Sequence, residues 1–374
     1  MKIILTGGGT GGHIFPLVAV ARKLRALGHE RGVEDIQFLY VGPKFDAVVE
    51  EVFRREGIAT RYILSSKLRR YFSFANILDA LKFPFVLVEA VWVLLWNMPD
   101  AIFSKGGYGS FPVVFAGWLF AVPARMIHES DATPGLANRM AARFAKRIGV
   151  AFASAIVKFP VQKSAVVGLP VREDLGNADP QKAKKFFNIF SDRKTVLVIG
   201  GSLGARSMND AVLPVLPKLL AQYEVIHIVG PRLYNEYEKN LGGLAPNLAP
   251  HYHSYPFLTE ELSFAFTLAD VVVSRAGASG IFEIASCGKP SILIPRPRSP
   301  QDHNRKNAYE YAKSGATVVI EEDNLTPNLL FSNIQSILED ADTRAAMSSS
   351  ASAFFIKNSA DVIAKEILEL RGVV

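Results

Sequence analysis

Short apolar, β-branched runs recur along this chain. Each is closed by glycine, proline or a polar residue and followed by a longer stretch with helical spacing. The runs near Ile3–Thr6, Gln37–Val41, Arg61–Leu64, Ala101–Ser104, Arg125–His128 and Val166–Gly168 read as strands, with helical patterns such as Leu17–Leu27 and Leu136–Phe144 between them. A charged, proline-containing stretch around Val171–Lys185 interrupts this series. A second follows, with strands at Thr195–Ile199, Val225–Val229, His251–Tyr255, Val271–Ser274, Ser291–Pro295 and Thr317–Ile320. Alternation of this kind predicts two doubly wound α/β domains, over 1–168 and 169–350. A helical pattern in the segment 351–374 is expected to pack back on the first domain. Ligands of such sheets bind beyond the carboxyl ends of the strands, so the site is expected in a deep cleft between the two domains.

The length of 374 residues suits two domains, and 49% hydrophobic with 21% charged residues is ordinary for a folded, water-soluble chain. One cysteine, Cys287, excludes an internal disulfide and suggests a reducing compartment. Met1-Lys2 runs straight into Ile3-Ile4-Leu5 and glycines, which is no export signal. The most apolar stretch, Phe83–Met98, contains Pro84 and Glu89 and is shorter than the ~20 residues a spanning helix needs. A formal charge of +7 favours anionic lipid, phosphate-bearing ligands or nucleic acid, without choosing among them.

Three glycine-rich turns narrow the choice. Gly7-Gly8-Gly9-Thr10-Gly11-Gly12-His13 follows the first strand, and a helix is expected after Pro16. Glycines there let the backbone approach a ligand, and a helix N-terminus offers free amides to an anion; a tight turn without a ligand is the bland alternative. Gly7, Gly9 and Gly12 match the dinucleotide pattern, but Tyr40-Val41-Gly42-Pro43 stands where its ribose-binding acid belongs. The second turn is Gly200-Gly201-Ser202-Leu203-Gly204-Ala205. The third reads Arg275-Ala276-Gly277-Ala278-Ser279-Gly280 and leads to Glu283, expected in the first helical turn. A carboxylate there can accept from both hydroxyls of a ribose, or merely complement the helix dipole.

These turns, with Gly106-Gly107-Tyr108, His128-Glu129-Ser130-Asp131 and Gly168-Leu169-Pro170-Val171-Arg172, occur in the order and spacing of the MurG family, which the chain resembles over essentially its whole length. The resemblance implies a GT-B fold and transfer of GlcNAc from UDP-GlcNAc to undecaprenyl-pyrophosphoryl-MurNAc-peptide, lipid I to lipid II, in peptidoglycan synthesis. It further implies Thr10, Gly11 and Gly12 beside the reacting sugar and pyrophosphate, with Arg172 and Ser202 near the phosphates. Leu258 would meet the uracil, Glu283 the ribose, and Ala278, Ser279 and Gly280 would line the nucleotide. Tyr108 falls on the acceptor side. Many members carry Asn where Asp131 and Leu169 stand, and Gln where His303 or Asn304 stands. An ionised Asp131 accepts hydrogen bonds from the N-acetyl sugar but donates none. Contact with the sugar hydroxyls passes to Asn304, His303 or Gln301.

An inverting transfer needs a base for the acceptor hydroxyl and charge stabilisation for departing UDP. His13 is the first candidate, because an imidazole pKa near ~6.5 suits proton abstraction at neutral pH; a histidine that caps the turn is the structural alternative. Glu129 and Asp131 are the other candidate acid–base groups. His128 and Glu129 are read as orienting His13 or the glycine turn, or as satisfied strand-end groups. Helix amides, Arg172 and Ser202 can offset the pyrophosphate charge, so no metal or cofactor is called for; Asp340-Ala341-Asp342 reads as a solvated helix end. Lys67, Arg69 and Arg70 beside Phe72, Phe74 and Ile77 fit an anionic membrane surface, placing the chain peripherally on the cytoplasmic face of the membrane. No nucleic-acid module accompanies them, so nucleic acid is not an expected partner. Two other classes remain in view: an inactive sugar-nucleotide-binding module and a dinucleotide-dependent oxidoreductase.

Overall fold

The computed structural model describes residues 1–8, 11–45, 47–64, 74–201, 204–240, 243–297 and 299–373, with the backbone alone at 11, 13, 47, 48, 74–80, 240 and 300. The chain divides into two compact units, Met1–Val171 with Ile356–Val374, and Arg172–Phe355.

The first unit opens with β1 (Lys2–Thr6), α1 (Gly11–Glu30), β2 (Gln37–Gly42), α2 (Ala47–Arg55) and β3 (Ile58–Tyr62). It continues with α3 (Phe74–Asn97), β4 (Ala101–Ser104), α4 (Phe111–Leu119), β5 (Ala124–Glu129), α5 (Leu136–Ala141), β6 (Arg147–Val150) and β7 (Ser164–Val166). All strands pair in parallel, in the order β3-β2-β1-β4-β5-β6-β7. Strand order reverses between β1 and β4, which opens a crevice at their carboxyl ends. Alternation along β1 decides what each side chain meets. Ile3 and Leu5 join the cluster that holds Ile14, Leu17 and Leu24 of α1. Ile4 points the other way, to Val86, Ala90 and Leu94 of α3 and Val113 of α4.

The second unit begins with α6 (Pro180–Phe187), β8 (Thr195–Ile199), α7 (Arg206–Val212), α8 (Leu216–Leu220), β9 (Glu224–Ile228) and α9 (Tyr234–Asn240). It goes on through β10 (Tyr252–Tyr255), α10 (Leu262–Leu268), β11 (Ala269–Ser274), α11 (Ala278–Ser286) and β12 (Ser291–Leu293). It ends with α12 (His303–Ala312), β13 (Thr317–Val319), α13 (Pro327–Glu339) and α14 (Ala341–Phe354). Its parallel sheet runs β10-β9-β8-β11-β12-β13, so the switch lies between β8 and β11.

Five local expectations are corrected. The third strand is Ile58–Tyr62, earlier than Arg61–Leu64, and the strand expected at Val166–Gly168 is Ser164–Val166. β6 escaped notice because Arg147-Ile148-Gly149-Val150 carries a charge and a glycine that make it read as a loop. α1 starts at Gly11 and takes Pro16 inside it, since proline near a helix start sacrifices only one ladder bond. The tail is two helices: α14 stops at Phe354, and α15 (Ser359–Arg371) lays Ile363, Ala364, Ile367 and Leu368 against α1 in the first unit's core.

Candidate active site

β1 delivers Gly7 and Gly8 to the switch point, and β4 delivers Lys105, Gly106 and Gly107 beside them; the Lys105 amide donates to the Thr6 carbonyl at 2.8 Å. At Gly107, with φ +90°, a side chain would stand 2.7 Å from the Gly8 backbone. The two glycine turns therefore touch main chain to main chain. Tyr40, at the strand end where a dinucleotide fold places its acid, is fully buried and donates its hydroxyl to the Gly7 carbonyl at 3.1 Å. Burial raises the Tyr40 pKa above the ordinary tyrosine value, so the group stays a donor that fastens the turn. Tyr108 is half-buried, close enough for its charge to be felt at Tyr40. Thr10 lies outside the described residues. Gly11, Gly12 and His13 form the start of α1, where the first amides have no intrahelical acceptors and no acidic side chain stands in the first turn.

Beneath these turns sits a polar network that closes the carboxyl end of β5. His128 Nε2 faces the Gly168 carbonyl at 2.7 Å. A carbonyl only accepts, so Nε2 carries the proton and Nδ1 is left to accept from Lys105 Nζ at 2.9 Å. Burial and the Lys105 charge push the His128 pKa well below the usual histidine value, keeping the ring neutral. Glu129 accepts from the amides of Asp131 and Gly135, both at 3.0 Å, and from Asn138 Nδ2 at 2.9 Å. Its carboxylate thus shapes residues 130–135; among the described residues neither it nor His128 is hydrogen-bonded to the glycine turn, and both have their polar atoms bonded around the end of β5. Asp131 stands half-exposed at the mouth of this network. Lys105 was not singled out in the sequence, where one lysine before two glycines carries no signal of burial.

In the second unit the loops after β8, β11 and β12 share one sheet edge. Gly204, with φ +80°, passes so close to the Val229 carbonyl that a side chain would stand 2.4 Å from its oxygen. Ser202 lies outside the described residues. Gly277 caps α11, with Ala278 buried and Ser279 and Gly280 half-exposed in its first turn. Glu283 falls in the second turn of α11, one turn later than expected. Its carboxylate makes no hydrogen bond to another described residue, and burial pushes that carboxyl up to about 7 against the opposing charge of Arg172. A dipole-capping role is therefore excluded by position, because that effect fades beyond the first turn. Arg172 is anchored through Nη1 to the Thr259 carbonyl at 3.0 Å. Leu258 is buried at 5% exposure, whereas Phe257 beside it is 44% exposed. His303 and Asn304 open α12, half-exposed, after two successive left-handed residues, Gln301 and Asp302, each at φ 58°. Such backbone is costly for non-glycine residues and sets the approach of α12 to the sheet edge.

Arg275, another residue the sequence did not mark, ties this edge together. It donates to the Ile294 carbonyl at 3.2 Å and to Ser207 Oγ at 2.8 Å, and it pairs with Glu322. Asp340 caps α14, accepting from the amides of Asp342 at 3.0 Å and Thr343 at 3.1 Å, so it begins one helix as it ends another.

Two doubly wound sheets, each with glycine turns at its switch point, and two glycosyltransferase family matches make this a glycosyltransferase of GT-B fold. The glycosyltransferase family 28 N-terminal domain matches residues 3–150 and the family 28 C-terminal domain matches residues 195–367. The chain belongs to glycosyltransferase family 28 and, within it, to the MurG transferases. It is 38% identical over 337 residues, 90% of each chain, to a Clostridium perfringens protein named UDP-N-acetylglucosamine--N-acetylmuramyl-(pentapeptide) pyrophosphoryl-undecaprenol N-acetylglucosamine transferase. A Geobacillus kaustophilus protein of the same name is 36% identical over 348 residues, 91% of each chain. The fold is shared with the crystal structure of Acinetobacter baumannii MurG, at TM-score 0.73 and 24% identity over 98% of this chain and 99% of that one. It is shared also with the Neisseria meningitidis UDP-GlcNAc 2-epimerase bound to UDP-GlcNAc, at TM-score 0.68 and 14% identity over 99% and 100%.

Proposed function

We infer that this chain transfers GlcNAc from UDP-GlcNAc to the 4-hydroxyl of MurNAc in undecaprenyl-pyrophosphoryl-MurNAc-pentapeptide, with inversion and without a metal. The observation that carries this reading is the identity of 36 to 38% over nine-tenths of the chain with transferases named for that reaction. The second unit supplies the donor site. Glu283 holds the ribose, Arg172 and Ser202 offset the diphosphate, and Ser279 and Gly280 present first-turn amides to it. The buried Leu258 side chain backs the uracil while its exposed neighbour Phe257 offers a ring face. In the first unit His13 is the base and Asp131 reads an N-acetyl sugar; in the second unit His303 and Asn304 meet the hydroxyls of the donor sugar. Turnover of UDP-GlcNAc with a lipid I analogue, read as UDP release and disaccharide formation, tests the whole reading. Binding of donor without turnover would make the chain a sugar-nucleotide-binding module, and tight binding of NAD would revive an oxidoreductase.

The acceptor's lipid stays in a bilayer, and α3 supplies a surface for it. Val86, Ala90, Val93 and Leu94 are buried on one face, as packing of the apolar stretch requires. The other face leaves Phe85, Val88, Trp92, Leu95 and Trp96 exposed, with α4 adding Trp118. Exposed apolar side chains at this density mark an interaction surface. No described helix is long and apolar enough to cross a membrane. The exposed apolar face of α3 docks at the headgroup boundary of the cytoplasmic leaflet. Lys67, Arg69, Arg70 and Phe72 lie outside the described residues, and Phe74 and Ile77 contribute only backbone at the start of α3. Their charges are the electrostatic half of the same docking surface, each worth about 1 kcal/mol near anionic lipid. Trp92→Glu with Trp96→Glu is expected to weaken binding to phosphatidylglycerol-containing vesicles by about tenfold or more while sparing UDP-GlcNAc affinity. Lys67, Arg69 and Arg70 changed together to Glu should do the same at low salt, an effect that added salt erases. Unaltered sedimentation with vesicles in both variants would remove this face from the membrane.

A further inference from the structure

A lysine exposed to only 1%, next to a histidine held neutral, demands compensation for the cost of burying an ammonium. Lys105 reaches under the Gly106-Gly107 turn and donates from Nζ to His128 Nδ1 at 2.9 Å and to Ser130 Oγ. Ser130 immediately precedes Asp131, whose own amide is bonded to the Glu129 carboxylate at 3.0 Å. One cation and two acids are thereby gathered at the carboxyl end of β5.

We propose that Lys105 is the positioning residue of the acceptor side: its ammonium is the counter-charge that lets Glu129 and Asp131 stand two residues apart, and its bond to Ser130 holds Asp131 toward the reacting sugars. The argument rests on the reading above that Asp131 faces those sugars. Glu129 is 4% exposed and spends its oxygens on the 130–135 backbone, so a second carboxylate beside it repels it. Glu129 and Asp131 favour the charged form of Lys105, against burial that brings its pKa down to about 7, while Asp131 and burial push Glu129 upward. Removing the cation leaves the two acids uncompensated, and the segment that carries Asp131 loses both its charge balance and its anchor. His128 keeps its bond to Gly168 but loses the donor at Nδ1.

The test is a double-mutant cycle on the full chain with UDP-GlcNAc and a lipid I analogue. Lys105→Met is expected to lower kcat more than tenfold at pH 7 with the UDP-GlcNAc KM within about twofold. The acid limb of its kcat profile should move up by on the order of one pH unit, because removal of a nearby cation disfavours ionised acids. A merely structural lysine would leave that limb in place. In an Asp131→Asn background the same Lys105→Met change should cost less than threefold. Equal losses in the two backgrounds, or an unmoved acid limb, would overturn the proposal. Asp131→Asn with unchanged activity would instead remove Asp131 from the sugars, which is failure of the underlying reading and is seen in the single variant. Should Lys105→Met not fold, Ser130→Ala carries the same cycle, since it cuts the anchor and keeps the charge. A several-fold kcat loss that vanishes in the Asp131→Asn background supports the proposal, and equal losses overturn it.

Discussion

Replacing His13 by alanine is expected to lower kcat by about 10²- to 10⁴-fold, the usual contribution of a general base, while UDP-GlcNAc still binds. The expectation rests on the proposed role of His13 as the base. Glu129 has its carboxylate occupied by two amides and Asn138, and His128 is a buried neutral ring with both nitrogens committed. His13 stands in the first turn of α1, directly after β1 at the order reversal of the first sheet. Single-turnover measurements with saturating donor separate the outcomes. Loss of donor binding would make His13 a phosphate ligand, and near-wild-type turnover would transfer the base to Asp131.

Glu283→Ala is expected to raise the UDP-GlcNAc KM by about 10- to 150-fold, since a charge-assisted hydrogen bond is worth roughly 1.5 to 3 kcal/mol. The same carboxyl predicts a pH dependence. Its folded pKa of about 7 is raised by burial, so near neutrality the free protein is a mixture of acid and carboxylate. Only the carboxylate accepts from both ribose hydroxyls, and binding the ribose therefore favours release of the proton. Donor affinity should rise as pH increases through 7 and level off above it, falling about tenfold from pH 8 to pH 6 as the ionised fraction drops. Glu283→Gln should flatten that dependence. For stability the sign is opposite: a carboxyl raised in the folded state costs stability as pH climbs from its unfolded value toward 7, so the ligand-free Glu283→Gln protein should gain relative stability above that range. Calorimetric titration of UDP at three pH values checks the first point and thermal unfolding checks the second. A pH-independent UDP affinity would detach Glu283 from the ribose.

Most of the architecture was legible along the chain because it is written in near-neighbour pattern. Strand period, turn glycines and the positions of β1, β8, β11 and their following helices depend on residues a few places apart, and so do the motifs that mark family 28. The errors fell where local pattern is silent. β6 is a strand because β5 and β7 flank it, against its own composition. The tail breaks at Phe354 because α15 has an apolar face that α1, β4 and β5 of the first unit cover. Glu283 reads as a helix-start acid until the structure puts it a turn later, where desolvation, and not the helix dipole, governs its charge. Lys105 is the extreme case. In sequence it is one cation among 42, and only the parallel pairing of β4 with β5 brings its ammonium to His128 and Ser130, more than 20 residues away. Chain order alone determines which elements form and what ligand class their turns suit. Which charges are buried, and which groups remain able to move a proton, was decided by contacts between distant segments, because the cost of a charge depends on what surrounds it in space.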